Sequence, residues 1–455
     1  MVILIPLIVQ QGITSFVNLL DNIMVGQLGT EEISSVAIVN QIIFIVNLAV
    51  FGCLSGTSIF GAQFYGKGDT KGLRYSFRLR LYLSVIVTII GILILTVHGE
   101  SLISFFLNET ESDSGDIQLT LDLALKYMGI SLWGIIPFAV SQSFASTLKN
   151  TGETKQPMIA SIIAILTNFT LNLILIFGLL GAPKMGVAGA ALATVIARFV
   201  EMFYIAFITI KQRQIHPFII GAFRSIHIPI RLVGRILKTS TPLLFNEILW
   251  ALATTTIAQC YSMRGLSAVT AVNINNTIWN VFSIVMMAMG NAVGILSGQM
   301  LGANDIEGAK DTVKKLLFFD VIINTIIGWL IVLTSSLIPT LYNTSPDIRS
   351  LATQLLMVAG FVLPIDAFTH ASYFTLRSGG KTVITFFFDC VFTWAISLPA
   401  AWILSRYTDI SLVWIFLAVQ LLNLIKVVIG ALLVRSGIWA KNVVSEPAMQ
   451  KAEDS

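Results

Sequence analysis

Displaced by 236 positions, the first quarter of the chain falls without a gap on its middle. Pro6 meets Pro242, Gly29 meets Gly265, Asn40 meets Asn276 and Gln63 meets Gln299. Gly66, Asp69 and Gly72 then meet Gly302, Asp305 and Gly308. Further along the offset becomes 228: Thr147, Leu148, Gly152 and Thr154 meet Thr375, Leu376, Gly380 and Thr382, and Lys149 meets Arg377. Apolar identities arise easily by chance, but a shared proline, several glycines and polar residues in one frame do not. The chain is an internal duplication, which limits the fold to two similar halves.

Each half is built for lipid. Apolar residues make up 55% of the chain and charged ones 11%, against about 25% charged in an ordinary soluble domain. Residues 33–65, 156–182 and 265–304 carry no charge at all, and about 20 apolar residues span a bilayer as a helix. Lipid offers no partner to open backbone groups, so these runs are read as helices. Apolar runs and polar breaks predict twelve, over 2–26, 34–64, 79–106, 118–147, 157–180 and 186–210, then 239–263, 268–299, 316–341, 350–376, 382–405 and 411–434. The expected fold is an all-α integral membrane protein with two six-helix lobes related by a parallel repeat. The lobes are expected at 1–210 and 239–435, joined by a basic cytoplasmic linker at 211–238 and followed by a cytoplasmic tail at 436–455. Duplicated membrane proteins of this kind are mostly transporters, with a substrate site between the repeats.

The amino terminus has no Lys or Arg before Lys67. Lacking the basic n-region and cleavage site of a signal peptide, residues 2–26 are read as a retained helix, with a short leader absent from this version of the chain. Cys53, Cys260 and Cys390 fall inside apolar spans, so neither a disulfide framework nor a metal cluster is expected.

Charge placement predicts orientation. Of 28 Lys and Arg, one side of the alternating loops receives only Lys126, Lys184, Arg264, Arg349 and Arg406. Arg198 and Lys426 fall within spans, and the rest lie on the other side, including the group at 67–80 and the linker. The positive-inside rule places that richer side, with both termini, in the cytoplasm of the cell membrane. The acidic loop at 100–116 then faces outside, and the linker lies on anionic headgroups.

Ionisable groups within spans are costly and need a reason to be there. Asp21 ends a polar stripe of Gln11, Thr14 and Asn18 on the first helix. Glu247 follows Pro242 in "TPLLFNEILWALATTT", and Asp366 follows Pro364 in "GFVLPIDAFTHAS". Asp389 shares a stripe with Thr385, Thr393 and Ser397. A proline in a span frees a carbonyl and permits a bend, so Pro6, Pro242 and Pro364 are candidate bends. An acid beside one offers the oxygens that a Na⁺ or a relayed proton requires. Asp320 is read as interfacial, and Arg198 with Glu201 as an i,i+3 pair. Asn168 and Asn172 share one face, and Asn273, Asn276 and Asn280 another, either joining helices or lining a cavity with Asn246 and His370. No GxSxG, Walker loop, HExxH or CxxC occurs, so no enzyme is expected, and ATP-driven transport would need a nucleotide domain that these residues do not form.

"LLDNIMVGQLG" (19–29), "GAQFYGKGD" (61–69), "GVAGAALATVIAR" (186–198) and "TLRSGG" (375–380) together resemble the multidrug and toxic compound extrusion (MATE) family, over essentially the whole chain. The resemblance implies efflux of organic, mostly cationic or amphiphilic compounds by antiport. Asn246, Glu247 and Asp366 match the cation-binding positions of the carboxy-terminal lobe of NorM-like members, and Asp21 matches the acid of helix 1. Asn172 stands where relatives often carry an acid, and Lys381 replaces the Asp of "RSGGDT". The cation-coupling residues are therefore expected to be Glu247, Asp366, Asp21 and Asp389, with any Na⁺ held at Glu247 and Asp366. No cofactor is expected beyond Na⁺ or H⁺; the expected partners are small organic cations and membrane lipids, not nucleic acid, and the chain is expected to be a monomer. A lipid-linked oligosaccharide flippase of the same superfamily is the alternative, weakened because only Arg198 and Lys426 supply positive charge within spans.

Overall fold

The computed structural model describes residues 3–108, 116–342 and 344–445. Its contacts divide it into two compact units, Met1–Gly61 with Asp69–Val233, and Ala62–Gly68 with Gly234–Ser455.

Six helices lie in the first half of the described chain: α1 (Leu4–Gly26), α2 (Thr30–Lys67), α3 (Thr70–Asn108), α4 (Ile117–Asn150), α5 (Lys155–Phe177) and α6 (Val187–Lys211). Six follow in the second: α7 (Ile230–Ser262), α8 (Leu266–Phe282 continued by Ile284–Gly302), α9 (Ile306–Thr334), α10 (Pro346–Ser378), α11 (Thr382–Tyr407) and α12 (Leu412–Arg435). Ten stretches among them are long and apolar enough to cross a membrane. The protein is an all-α, multi-pass membrane protein.

The duplication is visible at the turn into the third helix of each half. Gly68 and Asn304, at equivalent positions, both take positive φ, 76° and 63°. The next residue caps the following helix: Gly72 N donates to Asp69 Oδ1 at 2.8 Å, and Gly308 N to Asp305 Oδ1 at 2.9 Å. Each cap satisfies one of the amides that a helix start leaves without a partner.

The core of the first unit gathers Val39, Ile103, Ala124, Ile176 and Ala191, all without exposure. In the second unit α9 and α10 pack most closely, with Gly328 and Gly360 facing each other's backbone. Small residues at such crossings let backbones approach where lipid gives no hydrophobic drive.

Several expectations change. Pro242 and Pro364 do lie inside helices. Pro6 instead sits in the first turn of α1, where the missing N–H costs no helical bond, so it is not an interior bend. The cations at 67–80 are not a free loop, because α2 ends at Lys67 and α3 begins at Thr70. Arg80 is fully buried, donating to Thr57 Oγ1 at 2.9 Å and Thr147 Oγ1 at 2.6 Å. The segment 211–238 is not all linker, since α7 already starts at Ile230. Its irregular part is clamped to α3: Arg74 donates to the Phe218 carbonyl, and Arg78 donates to those of Gly221, Ala222 and His227 at 2.6–3.0 Å. Guanidinium groups satisfy carbonyls that an irregular chain leaves open.

Candidate functional site

In the second unit four helices bring polar side chains to one place. Asn246 and Glu247 come from α7, just past Pro242. Tyr373 comes from α10, two turns past Asp366, and Asp389 from α11. Asn423 and Lys426 are one turn apart on α12.

They form a continuous chain of contacts. Lys426 Nζ donates to Asp389 Oδ1 at 2.9 Å. Asn246 Nδ2 donates to Asp389 Oδ2 at 3.1 Å and reaches Tyr373 Oη at 3.4 Å. Tyr373 Oη in turn donates to Glu247 Oε1 at 3.1 Å. Beside it, Asn423 Nδ2 donates to Asp366 Oδ1 at 3.1 Å. Asn246 is 2% exposed, Lys426 7% and Tyr373 8%, so these contacts form away from solvent, where a hydrogen bond is stronger and an unmet group costs more. Among the described residues, Asp389 is ion-paired, while no Lys, Arg or His lies within ion-pair distance of Glu247 or Asp366. Helix α12 thus presents a neutral amide to one acid and a cation to another.

Two further features shape the cluster. The guanidinium of Arg377 lies over the rings of Phe374 and Tyr373, 4.6 and 5.7 Å from their centroids. Helix α11 is π-helical over Phe387–Val391 and again over Thr393–Ser397. Such wide turns occur often at functional sites, and this one carries Asp389.

The remaining predicted residues are dispersed. His370 packs against Phe374 with the rings tilted and their centroids 4.9 Å apart, and lies against Gly290 of α8. Asn276 and Asn280 are exposed, as is Asn273, while their neighbour Asn275 is buried. The polar face of α8, read as either joining helices or lining a cavity, therefore points out of the unit's interior. Asp320, read from the sequence as interfacial, is fully buried on α9 and accepts from Asn324 Nδ2 at 2.7 Å. That local amide satisfies one carboxylate oxygen without water.

In the first unit, Asn172 Nδ2 donates to Asn168 Oδ1 at 3.2 Å, and Asn168 Nδ2 to Thr194 Oγ1 at 3.1 Å. Arg198 and Glu201 form an ion pair at 3.1 Å. Ser161 links Glu201 to Gln10, donating to Glu201 Oε1 at 3.4 Å and accepting from Gln10 Nε2 at 2.8 Å. The side chains of Asn18 and Asp21 lie outside the described residues.

Tyr373, Arg377, Asn423 and Lys426 were not picked out as site residues from sequence. The signal was present: Asp366, His370, Tyr373 and Arg377 recur at helical spacing along one face of α10, and Asn423 and Lys426 are i,i+3 on α12. Only the packing of α12 against α10 and α11 shows what those faces meet.

A family model described as MatE matches residues 6–174 and 242–403. Among similar curated proteins, the probable multidrug resistance protein YoeA of Bacillus subtilis is 24% identical over 90% of this chain and 88% of its own. The probable multidrug resistance protein NorM of Thermotoga maritima is 22% identical over 93% and 89%. Among solved structures, that of MATE in complex with MaL6 is similar with a TM-score of 0.85 at 18% identity, over 100% of this chain and 96% of that one. A MOP superfamily transporter from Pyrococcus furiosus, described by the reverse polarity of its binding pocket, is similar with a TM-score of 0.84 at 19% identity, over 96% and 94%.

Proposed function

Because the chain belongs to the MatE family, we propose that it is a secondary active efflux transporter, exporting organic, mostly cationic or amphiphilic compounds in exchange for Na⁺ or H⁺. The observation that carries this reading is the pair Glu247 and Asp366. They are carboxylates within a bilayer-spanning unit, bound by a phenol and an amide and lacking any ion-pair partner among the described residues. Such groups hold a metal cation or a proton well, because either relieves the cost of a charge removed from water. The multidrug resistance names of the relatives support the substrate class.

The two lobes work by alternating access. An inward-moving ion contributes about 2.3 kcal/mol per charge for each 100 mV, and it drives export only if ion and drug favour opposite orientations. Cation arrival at Glu247 and Asp366 removes the charge that attracts a cationic drug and so promotes its release. The oxygens of Glu247, Asp366 and Asn246 favour Na⁺ over H⁺. The clamped segment before α7 exposes Ile215, Ile220, Phe223 and Ile226 beside Lys211, Arg213 and Arg224. That mixture suits anionic lipid headgroups on the cytoplasmic side, with both termini on that side and the chain working as a monomer.

The test is transport by purified protein in liposomes loaded with ethidium, under a Na⁺ gradient and a pH gradient imposed separately at clamped voltage. Efflux under the Na⁺ gradient is expected. Efflux under the pH gradient alone overturns the Na⁺ preference, and no dye movement under either overturns the multidrug reading.

A further inference from the structure

We propose that Lys426 is a built-in cation that permanently fills the place of a bound ion at Asp389, so that of the three acids only Glu247 and Asp366 stay open to an exchangeable cation. The inference rests on the transport reading above and deepens it, by setting which acids of the same cluster accept a cation.

Three acids enter this cluster, from α7, α10 and α11, but they are not equivalent. Asp389 has both oxygens engaged by donors of the same unit: Oδ1 by the Lys426 ammonium at 2.9 Å and Oδ2 by the Asn246 amide at 3.1 Å. Lys426 is itself held in place. It is 7% exposed, and its Nζ lies 5.3 and 6.0 Å from the ring centroids of Phe392 and Phe388, which flank Asp389 on α11. An ammonium over aromatic faces is attracted by their negative π clouds. With one carboxylate and two rings around it, this side chain has the surroundings of a bound monovalent cation, except that it is covalently tethered.

Glu247 and Asp366 receive only neutral donors, Tyr373 Oη and Asn423 Nδ2. One turn of α12 separates the two treatments, since Asn423 faces Asp366 and Lys426 faces Asp389. Removing one partner of a buried ion pair leaves a charge in the interior with nothing to offset it, whereas an amide donor brings no charge of its own to its carboxylate. The pattern therefore closes Asp389 to ions and keeps the other two acids available. It also holds the Asn246 amide between Asp389 and Tyr373, which makes Lys426 a positioning residue for the open site.

The experiment uses full-length protein carrying Lys426→Met, Asp389→Asn, both changes together, or Lys426→Arg. Two quantities are read: the melting temperature in detergent, and the order of ethidium efflux in coupling-ion concentration in liposomes. Wild type, Lys426→Arg and the double variant are expected to show the same order. Lys426→Met is expected to show a higher order than wild type, because Asp389 becomes a further open acid. Each single uncharged variant should melt lower than wild type, and the double variant should recover most of the loss. A double variant that melts no higher than the singles overturns the charge pairing. Unchanged ion order in a folded Lys426→Met protein overturns the occupied-site reading. If wild type moves no dye under any gradient, the transport proposal is what fails, and the melting comparison still decides the pair.

Discussion

Gly66 lies against the backbone carbonyl of Gln299, and one repeat later Gly302 lies in the same way against that of Gln63. The segment Ala62–Gly68 packs within the second unit, so the four residues form one reciprocal crossing in which each glycine admits the other helix's backbone. Gln63 completes it by donating to the carbonyls of Ser378 and Lys441 at 2.9 and 3.1 Å and accepting from Val443 N at 2.7 Å. A Cβ at either glycine would overlap backbone, which has little freedom to move aside. Gly66→Ala and Gly302→Ala should each destabilise by about 1–3 kcal/mol. The check is melting temperature and folded yield in detergent, against Gly234→Ala, where a Cβ meets nothing within 4 Å and no loss is expected.

The open acids should be indispensable. Glu247→Gln and Asp366→Asn are each expected to abolish gradient-driven ethidium efflux in vesicles while the proteins still insert and elute as folded species. Near-normal efflux from both would end the assignment of the coupling site.

Tyr373 should matter less than the acids but more than a packing residue. Its hydroxyl ties Glu247 to Asn246, and Tyr373→Phe keeps the ring while removing that link. The loss is roughly 0.5–1.5 kcal/mol for one hydrogen bond, read as a several-fold higher half-saturating ion concentration for efflux. An unchanged half-saturation would place the hydroxyl outside the ion site.

Orientation can be read by labelling. In a background with Cys53, Cys260 and Cys390 replaced, Gln118→Cys should react with an impermeant maleimide added outside intact cells, and Arg224→Cys only after permeabilisation. Both positions are exposed, so access to the reagent is decided by the side of the membrane.

His216 supplies a pH dependence outside the spans. It is 3% exposed beside Phe218, and burial pushes its pKa below the usual value of 6.5, opposed in part by the nearby Glu153. With the folded value below the unfolded one, the unfolded chain takes up the proton first. Stability is therefore complete above the ordinary histidine range and declines as pH falls through it. His216→Gln should flatten the fall in melting temperature between about pH 7 and pH 5, and an unaltered slope would assign that fall to other groups.

The sequence alone determined the duplication, the twelve helices and the embedded acids. These follow from local rules: uncharged runs of bilayer length must be helical in lipid, and repeated Gly, Pro and Asp positions survive as the same turns, as the caps at Asp69 and Asp305 demonstrate. Boundaries were legible less well where a helix leaves lipid. Ile230 to Lys238 is helical although basic, because water tolerates helix and coil alike and hydropathy cannot separate them. What only the tertiary structure decided is how the acids differ. Glu247 and Asp366 each follow a proline and Asp389 does not, but nothing along the chain says which of the three carboxylates meets a cation. Whether such a group is open or already satisfied depends on the side chain that a distant helix lays against it, and here the rotation of α12 sets Asn423 on Asp366 and Lys426 on Asp389. The interaction energy falls off over a few ångströms, while the residues concerned are 57 and 37 positions apart in the chain, so spacing in the sequence carries no trace of it.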